Sequence, residues 1–144
     1  MIVSKILQSK ADSGVISVKP GDKVTDAVKL MSDNRIGTVV VSADGASLDG
    51  ILSERDIVRE MGKRGTACLD EPVSGMMTAR LVTCTPADQA DAVLEQMTQG
   101  RFRHMPVMDD GKMMGLISIG DVVKARLSEL SMEKDALQGM IMGH

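Results

Sequence analysis

Val24, Ala27, Val28 and Met31 fall at i, i+3, i+4 and i+7, the spacing of one face of an amphipathic helix. Ala90, Val93, Leu94 and Met97 repeat that face sixty-six positions later. Asp22 and Asp88 stand just ahead of the two faces and are expected to cap these helices, since a carboxylate there can accept the unpaired first-turn N–H groups. Each face is followed by a short apolar run, Thr38 to Val41 and Met105 to Met108, closed by Asp44-Gly45 and Asp110-Gly111. Gly50-Ile51-Leu52 and Gly115-Leu116-Ile117 then resume the apolar character, so each copy is expected to hold a two-stranded hairpin. A second helix follows, carrying Ile57, Val58 and Met61 in one copy and Val122 and Val123 in the other. The order strand, helix, strand, strand, helix is written twice.

The duplication extends to individual residues. Pro20, Asp22, Met31, Arg35, Val41, Asp44 and Gly45 recur 66 positions on as Pro86, Asp88, Met97, Arg101, Val107, Asp110 and Gly111. After a one-residue slip the offset is 65, and Gly50, Ser53, Asp56 and Val58 match Gly115, Ser118, Asp121 and Val123. So long a period marks a duplicated supersecondary unit rather than a solenoid. The expected fold is α/β: two β-α-β-β-α repeats packed through their sheets with pseudo-twofold symmetry, because neither copy alone has apolar surface for a good core. Repeat 1 is read as 1–63, a connector as 64–78, repeat 2 as 79–126 and a C-terminal helix as 127–144. Within the connector, Val73-Ser74-Gly75-Met76-Met77 echoes Val3-Ser4-Lys5-Ile6-Leu7. Val123, Leu127, Leu130, Lys134, Leu137 and Ile141 are spaced 4, 3, 4, 3, 4, a helical stripe that packs either on the module itself or on a second chain.

Composition narrows the function more than the fold. At 144 residues and 43% hydrophobic content the chain suits one compact folding unit. A net charge of -3 and the lack of a long Lys/Arg run argue against nucleic acid and membrane surfaces as partners. No stretch nears the length of a bilayer span, and the N-terminus has no secretory pattern, so a cytoplasmic location is expected. Cys68 and Cys84 form no CxxC pair and are expected to be reduced structural thiols. His104 and His144 have no triad or HExxH company, and His144 is simply the last residue. No metal site is expected. With 13 Met against one Phe and no Trp or Tyr, a bound purine would lie between aliphatic faces.

Two motifs carry candidate chemistry. Gly50-Ile51-Leu52-Ser53-Glu54-Arg55-Asp56 and Gly115-Leu116-Ile117-Ser118-Ile119-Gly120-Asp121 share the pattern Gly, two apolar residues, Ser, two variable residues, Asp. A Ser at a strand end with a carboxylate three residues on is a capping box that opens a helix. The same position exposes helix N–H groups and a hydroxyl to an anion, and an Asp one turn in can accept from vicinal hydroxyls. The second motif is Gly100-Arg101-Phe102-Arg103-His104-Met105-Pro106, three potentially cationic side chains around an apolar wedge, suited to a phosphate and a purine edge. Favourable charge at a helix C-terminus accounts equally for Arg101. Arg55 and Arg59 either supply charge in the first copy or are solvated helix residues.

The repeated layout and the two Gly-apolar-apolar-Ser-x-x-Asp ends resemble a cystathionine-β-synthase (CBS) domain pair, or Bateman module, over roughly Val3 to Val123. The strings Ser53-Glu54-Arg55-Asp56 and Gly100 to Pro106 resemble small stand-alone bacterial CBS-pair proteins in particular. The resemblance implies an adenosine ligand (AMP, ADP, ATP, S-adenosylmethionine or NAD) held in one or both clefts between the repeats. It implies that Asp56 and Asp121 contact ribose, that Ser53 and Ser118 help hold phosphate, and that Ile36, Gly37, Thr38, Val39 and Phe102, Arg103, His104, Met105, Pro106 wall the base. Arg55 and Arg101 complete the ligand-binding set, and Ser17 and Thr83 take the polar position of the first strand. It also implies a homodimer and a regulated partner that the chain does not name.

The expected function is therefore regulatory and non-enzymatic. Two alternatives stand beside it: an enzyme acting on a nucleotide, which lacks a Walker loop or an activated nucleophile here, and a dimeric adaptor with vestigial clefts.

Overall fold

Five helices and five strands follow the expected double order in the computed structural model, which describes residues 1–10 and 15–142; His144 lies outside them. A leading helix α1 (Val3–Ser9) precedes β1 (Ser17–Val18), α2 (Val24–Asn34), β2 (Thr38–Val41), β3 (Gly50–Ser53) and α3 (Glu54–Arg64). Two 3-10 turns, Thr66–Asp70 and Val73–Gly75, lead to α4 (Ala90–Gly100), β4 (His104–Asp109), β5 (Lys112–Ser118) and α5 (Ile119–Ile141). In the first copy β1 runs parallel to β2, and β2 antiparallel to β3, with Thr38 opposite Ser53 and Val41 opposite Gly50. The second copy repeats this with β4 beside β5 and a single parallel bridge, Cys84 to Val107, standing where Val18 pairs with Val41.

The chain forms two compact units, one of Gly14–Val82 with Asp110–Met113, the other of Met1–Ser13, Thr83–Asp109 and Met114–His144. In the first, Val18, Val24, Ala27, Met31, Val39, Leu52 and Ile57 make a buried cluster from one face of each helix and the inner face of the sheet. In the second, Val93, Met97, Met105, Val107, Ile117 and Val122 do the same, and Val3 and Ile6 of α1 join them with 0% and 2% exposure. Each such buried aliphatic side chain contributes about 1.5–3 kcal/mol of transfer free energy, so α1 is a structural part of the second unit.

The two leading segments are thus exchanged between copies. Val3 and Ser4 donate their N–H groups to Asp88 and Pro86 carbonyls at 2.9 Å, while Val73 and Ser74 donate to Asp22 and Pro20 at 2.8 and 3.1 Å. These contacts explain the glycine that begins each Ser-x-x-Asp motif. A Cβ on Gly115 would lie 2.8 Å from Leu7 Cδ2, and one on Gly50 would lie 2.7 Å from Met77 Sδ and 2.9 Å from the Thr78 carbonyl oxygen. A leucine tip can swing aside, whereas a backbone carbonyl paired with Ile51 cannot. Gly50→Ala is expected to cost about 1–3 kcal/mol in urea denaturation and Gly115→Ala clearly less. Equal tolerance at the two positions would contradict this account of the motif glycine.

The leading segments also correct the expected caps. Val24 N–H donates to the Glu71 carbonyl at 2.9 Å and Ala90 N–H to the Met1 carbonyl at 3.0 Å, so these first-turn donors are already satisfied by backbone. Asp22 and Asp88 lie one residue ahead of the caps and instead close the preceding turns, accepting from Lys19 N–H at 2.9 Å and Thr85 N–H at 2.8 Å.

The last helix is one continuous element from Ser118 onward, without a break at residue 126. Only Val122 and Ala125 are buried on it. The stripe of Leu127, Leu130, Leu137 and Ile141 is 50–84% exposed, so the chain itself does not cover it.

Candidate functional site

Each unit brings a hairpin end and a helix start together in the same way. Glu54 N–H donates to the Gly37 carbonyl at 2.9 Å, and Ile119 N–H to the Arg103 carbonyl at 2.8 Å, fastening α3 and α5 to the entry of the neighbouring strand. Thr38, Ser53 and Asp56 thereby gather in one unit, and their repeat equivalents His104, Ser118 and Asp121 in the other. Both capping boxes form. Ser53 Oγ accepts from Asp56 N–H at 3.2 Å while Asp56 Oδ2 accepts from Ser53 N–H at 3.0 Å. The corresponding distances at Ser118 and Asp121 are 3.1 and 2.9 Å.

The capping box occupies one carboxylate oxygen, and the other oxygen separates the two sites. Asp56 is buried at 8% exposure, its Oδ1 accepts from Arg59 Nη2 at 2.9 Å, and the Ser53 hydroxyl donates to Oδ2 at 3.0 Å. Asp121 is paired on Oδ2 alone, with Lys10 Nζ at 3.0 Å, and Lys10 also donates to the Leu116 carbonyl at 2.8 Å. Among the described residues Asp121 Oδ1 has no hydrogen-bond partner, and the side chain is 26% exposed. A ligand hydroxyl can therefore reach Asp121 without breaking a pair, but not Asp56. Burial works to raise the Asp121 carboxyl, yet the Ser118 backbone N–H and the Lys10 ammonium outweigh it and hold it below the usual carboxylate range. It stands ionised at neutral pH, as a charge-assisted acceptor must.

Lys10 is the residue that motif reading missed. A signal was present: the echo of Val3 and Ser4 at Val73 and Ser74, carried on at the same spacing, aligns Lys10 with Arg80. Beside the Lys10–Asp121 pair lies a pocket of about 370 Å³ between α1 and the first turns of α5, lined by Ile6, Ser9, Lys10, Asp121, Lys124 and Ser128 among others. Its size falls within the range of small-molecule sites.

The remaining sequence-derived residues divide by exposure. Arg55, Thr83, Arg101 and Arg103 are exposed; Ser17, Ile36, Gly37 and Phe102 are partly buried; Thr38 and Pro106 are buried. Val39 and Met105, at 0% exposure, belong to the two cores. Arg101 is the C-cap of α4 in the left-handed conformation, as Arg35 is for α2. Cys84 is buried, which pushes its thiol up to about 11 and leaves it unreactive near neutral pH. No His/Cys/Asp/Glu group among the described residues is arranged to hold a metal ion, and no helix there is long and apolar enough to cross a membrane.

His104 does not add a third positive charge at neutral pH. Burial pushes its imidazole below 6.5, helped by the Lys10 and Arg103 charges and opposed by Asp121. Because the folded state resists protonation, the unfolded chain binds this proton first as the solution acidifies. The associated stability is complete above about pH 6.5 and is lost as pH falls through and below that value. Thermal melts from pH 7 to 5 should show a decline that His104→Gln reduces; superimposable profiles would show that His104 does not titrate this way.

Comparison with known proteins places these features in a family. A family profile described as "CBS domain" matches residues 3–63 and 73–128. A mitochondrial CBS domain-containing protein of Arabidopsis thaliana is 36% identical over 148 residues, covering 98% of this chain and 72% of the relative. The crystal structure of a CBS-domain containing protein from Agrobacterium tumefaciens aligns with a TM-score of 0.81 at 42% identity, covering 87% of this chain and 92% of that one. A third structure, described as CBSX2 in complex with AMP, aligns with a TM-score of 0.74 at 25% identity, over 88% and 96% of the two chains.

Proposed function

We propose, for a chain that belongs to the CBS domain family and carries two such domains, that it is a regulatory sensor of adenosine nucleotides. The observation that carries the reading is Asp121. It is an ionised, partly exposed carboxylate at a helix start, with one oxygen held by Ser118 N–H and Lys10 and the other open to a ribose hydroxyl. A charge-assisted bond from a ribose hydroxyl to that open oxygen, with the Lys10 ammonium beside it, suits a ribose carrying a phosphate. The complex of a relative with AMP supports the same class of ligand. Both serine hydroxyls stand at a helix start beside their aspartate, Ser53 at Asp56 and Ser118 at Asp121.

Binding without turnover distinguishes a sensor from an enzyme. Incubation with AMP, ADP, ATP and NAD should return each unchanged, and any product formed in proportion to the protein would replace this reading with a catalytic one. A sensor changes its partner by stabilising one of two conformations, in proportion to the ligand's differential affinity for them.

The assembly proposed with it is a twofold dimer through α5. Its exposed stripe keeps one apolar face along the helix from Leu127 to Ile141, and a second copy presents the same stripe in return.

A further inference from the structure

We propose that Lys10 and Lys124 select the ligand of the Asp121 site by the charge on its 5′ position, admitting 5′-phosphorylated adenosines and rejecting a 5′-sulfonium adenosine. The inference rests on the reading of Asp121 as the ribose acceptor and says what lies beyond the ribose. Lys10 Nζ donates to Asp121 Oδ2 and to the Leu116 carbonyl, which engages two of the three N–H bonds of an ammonium group. Among the described residues the third has no partner and is left for a ligand atom. A ribose held on Asp121 Oδ1 can turn its 5′ substituent toward that ammonium, which stands 3.0 Å from the neighbouring Oδ2.

Lys124 extends the positive ground. It follows Asp121 by three residues on α5, and Asp121, Lys124 and Ser128 line the pocket along one helix face, with Lys10 and Ser9 from α1 opposite. Lys10, Lys124 and Asp121 together give this lining a net charge of +1, and the Met1 terminal ammonium that also lines it is offset by Glu129 at 2.6 Å. A phosphate monoester, at about −1.5 to −2, more than offsets it, a neutral adenosine leaves it unmatched, and a sulfonium adds a like charge in a partly desolvated pocket. Since the capping box and Lys10 hold Asp121 in place, the pocket reads charge without rearranging.

Calorimetric titrations with AMP, adenosine and S-adenosylmethionine test this on four full-length proteins: wild type, Lys10→Met, Lys10→Arg and Lys124→Met. Wild type should bind AMP at least tenfold more tightly than adenosine, and S-adenosylmethionine least. Lys10→Met should weaken AMP about ten- to a hundredfold while changing adenosine no more than about threefold, the loss of one bond to a charged group. Lys10→Arg should restore most of the AMP preference. Lys124→Met, which leaves the Lys10–Asp121 pair intact, keeps the test valid if Lys10→Met does not fold, and should narrow the gap between AMP and S-adenosylmethionine. An AMP-to-adenosine ratio unchanged by both neutral variants overturns the proposal alone. So does a Lys10→Met protein that binds AMP and adenosine more tightly by the same factor, since Lys10 would then be a competitor for the carboxylate. If wild type binds none of the three, the ribose reading of Asp121 falls and this proposal with it. The site at Asp56, closed on Oδ1 by Arg59, contributes no dependence on Lys10.

Discussion

Asp121→Asn is expected to weaken adenosine-nucleotide binding by about ten- to a hundredfold while leaving the protein folded. The amide keeps the shape of the side chain, and its oxygen can still accept from Ser118 N–H, so the start of α5 survives. What disappears is the charge and the open acceptor, since the amide nitrogen then takes the Oδ1 position and can only donate. A hydrogen bond to an ionised acceptor is worth about 1.5–3 kcal/mol, which gives the stated loss, whereas a carboxylate at a helix start contributes only about 0.3–1 kcal/mol to stability. The 2′-deoxy analogue separates the two roles. Wild type should prefer the ribose form and Asp121→Asn should lose most of that preference, so the four combinations form a double-mutant cycle. A coupling energy near zero would reduce Asp121 to a helix cap. Asp56→Asn should have the smaller effect on binding, because Arg59 already holds the oxygen that a ribose would need.

Replacing Leu127, Leu130 and Leu137 together with Lys is expected to convert a dimer into a monomer. These side chains are 62%, 50% and 60% exposed and belong to neither core, so the substitutions leave both buried clusters intact. An exposed apolar stripe of this kind, interrupted once by Lys134, is characteristic of an interaction surface rather than of an isolated monomer. Light scattering at micromolar concentration should give the wild type twice its chain mass of 15.4 kDa and the triple variant that mass once, with the melting profile of each unit's core preserved. A monomeric wild type, or a triple variant still dimeric, would remove α5 from the proposed assembly.

Most of the fold was legible because its signals are local. The i, i+3, i+4, i+7 faces of α2 and α4 and the Gly-bounded apolar runs depend only on near neighbours in sequence, and the offset of 66 confirmed each by its copy. The exchange of leading segments was not legible. The likeness of Val3-Ser4 to Val73-Ser74 shows that the two are equivalent, but a repeat is silent about which copy its leader packs against. The same silence misplaced Asp22 and Asp88 as helix caps, since the carbonyls that took that role come from residues far along the chain.

The site was legible to the same extent. Ser53, Asp56, Ser118 and Asp121 sit where the motif put them, at helix starts, since a capping box is again a local device. Nothing local distinguishes Asp56 from Asp121, because the difference lies in Arg59 one turn along α3 and in Lys10, 111 positions before Asp121. Nor does local pattern reveal that Val39 and Met105 face the cores, or that burial keeps His104 neutral.

The central claim, that the folded chain binds adenosine nucleotides, is tested most directly by thermal unfolding across AMP, ADP, ATP and NAD with guanosine and cytidine nucleotides as controls. A ligand that binds only the native state stabilises it by about 2.7 kcal/mol at a hundredfold excess over its dissociation constant, which raises the melting temperature by several degrees for a chain of this length. At least one adenosine nucleotide should produce that rise, and the guanosine and cytidine nucleotides much less. Flat melting curves across the whole adenosine set would contradict the account and leave a structural adaptor in its place.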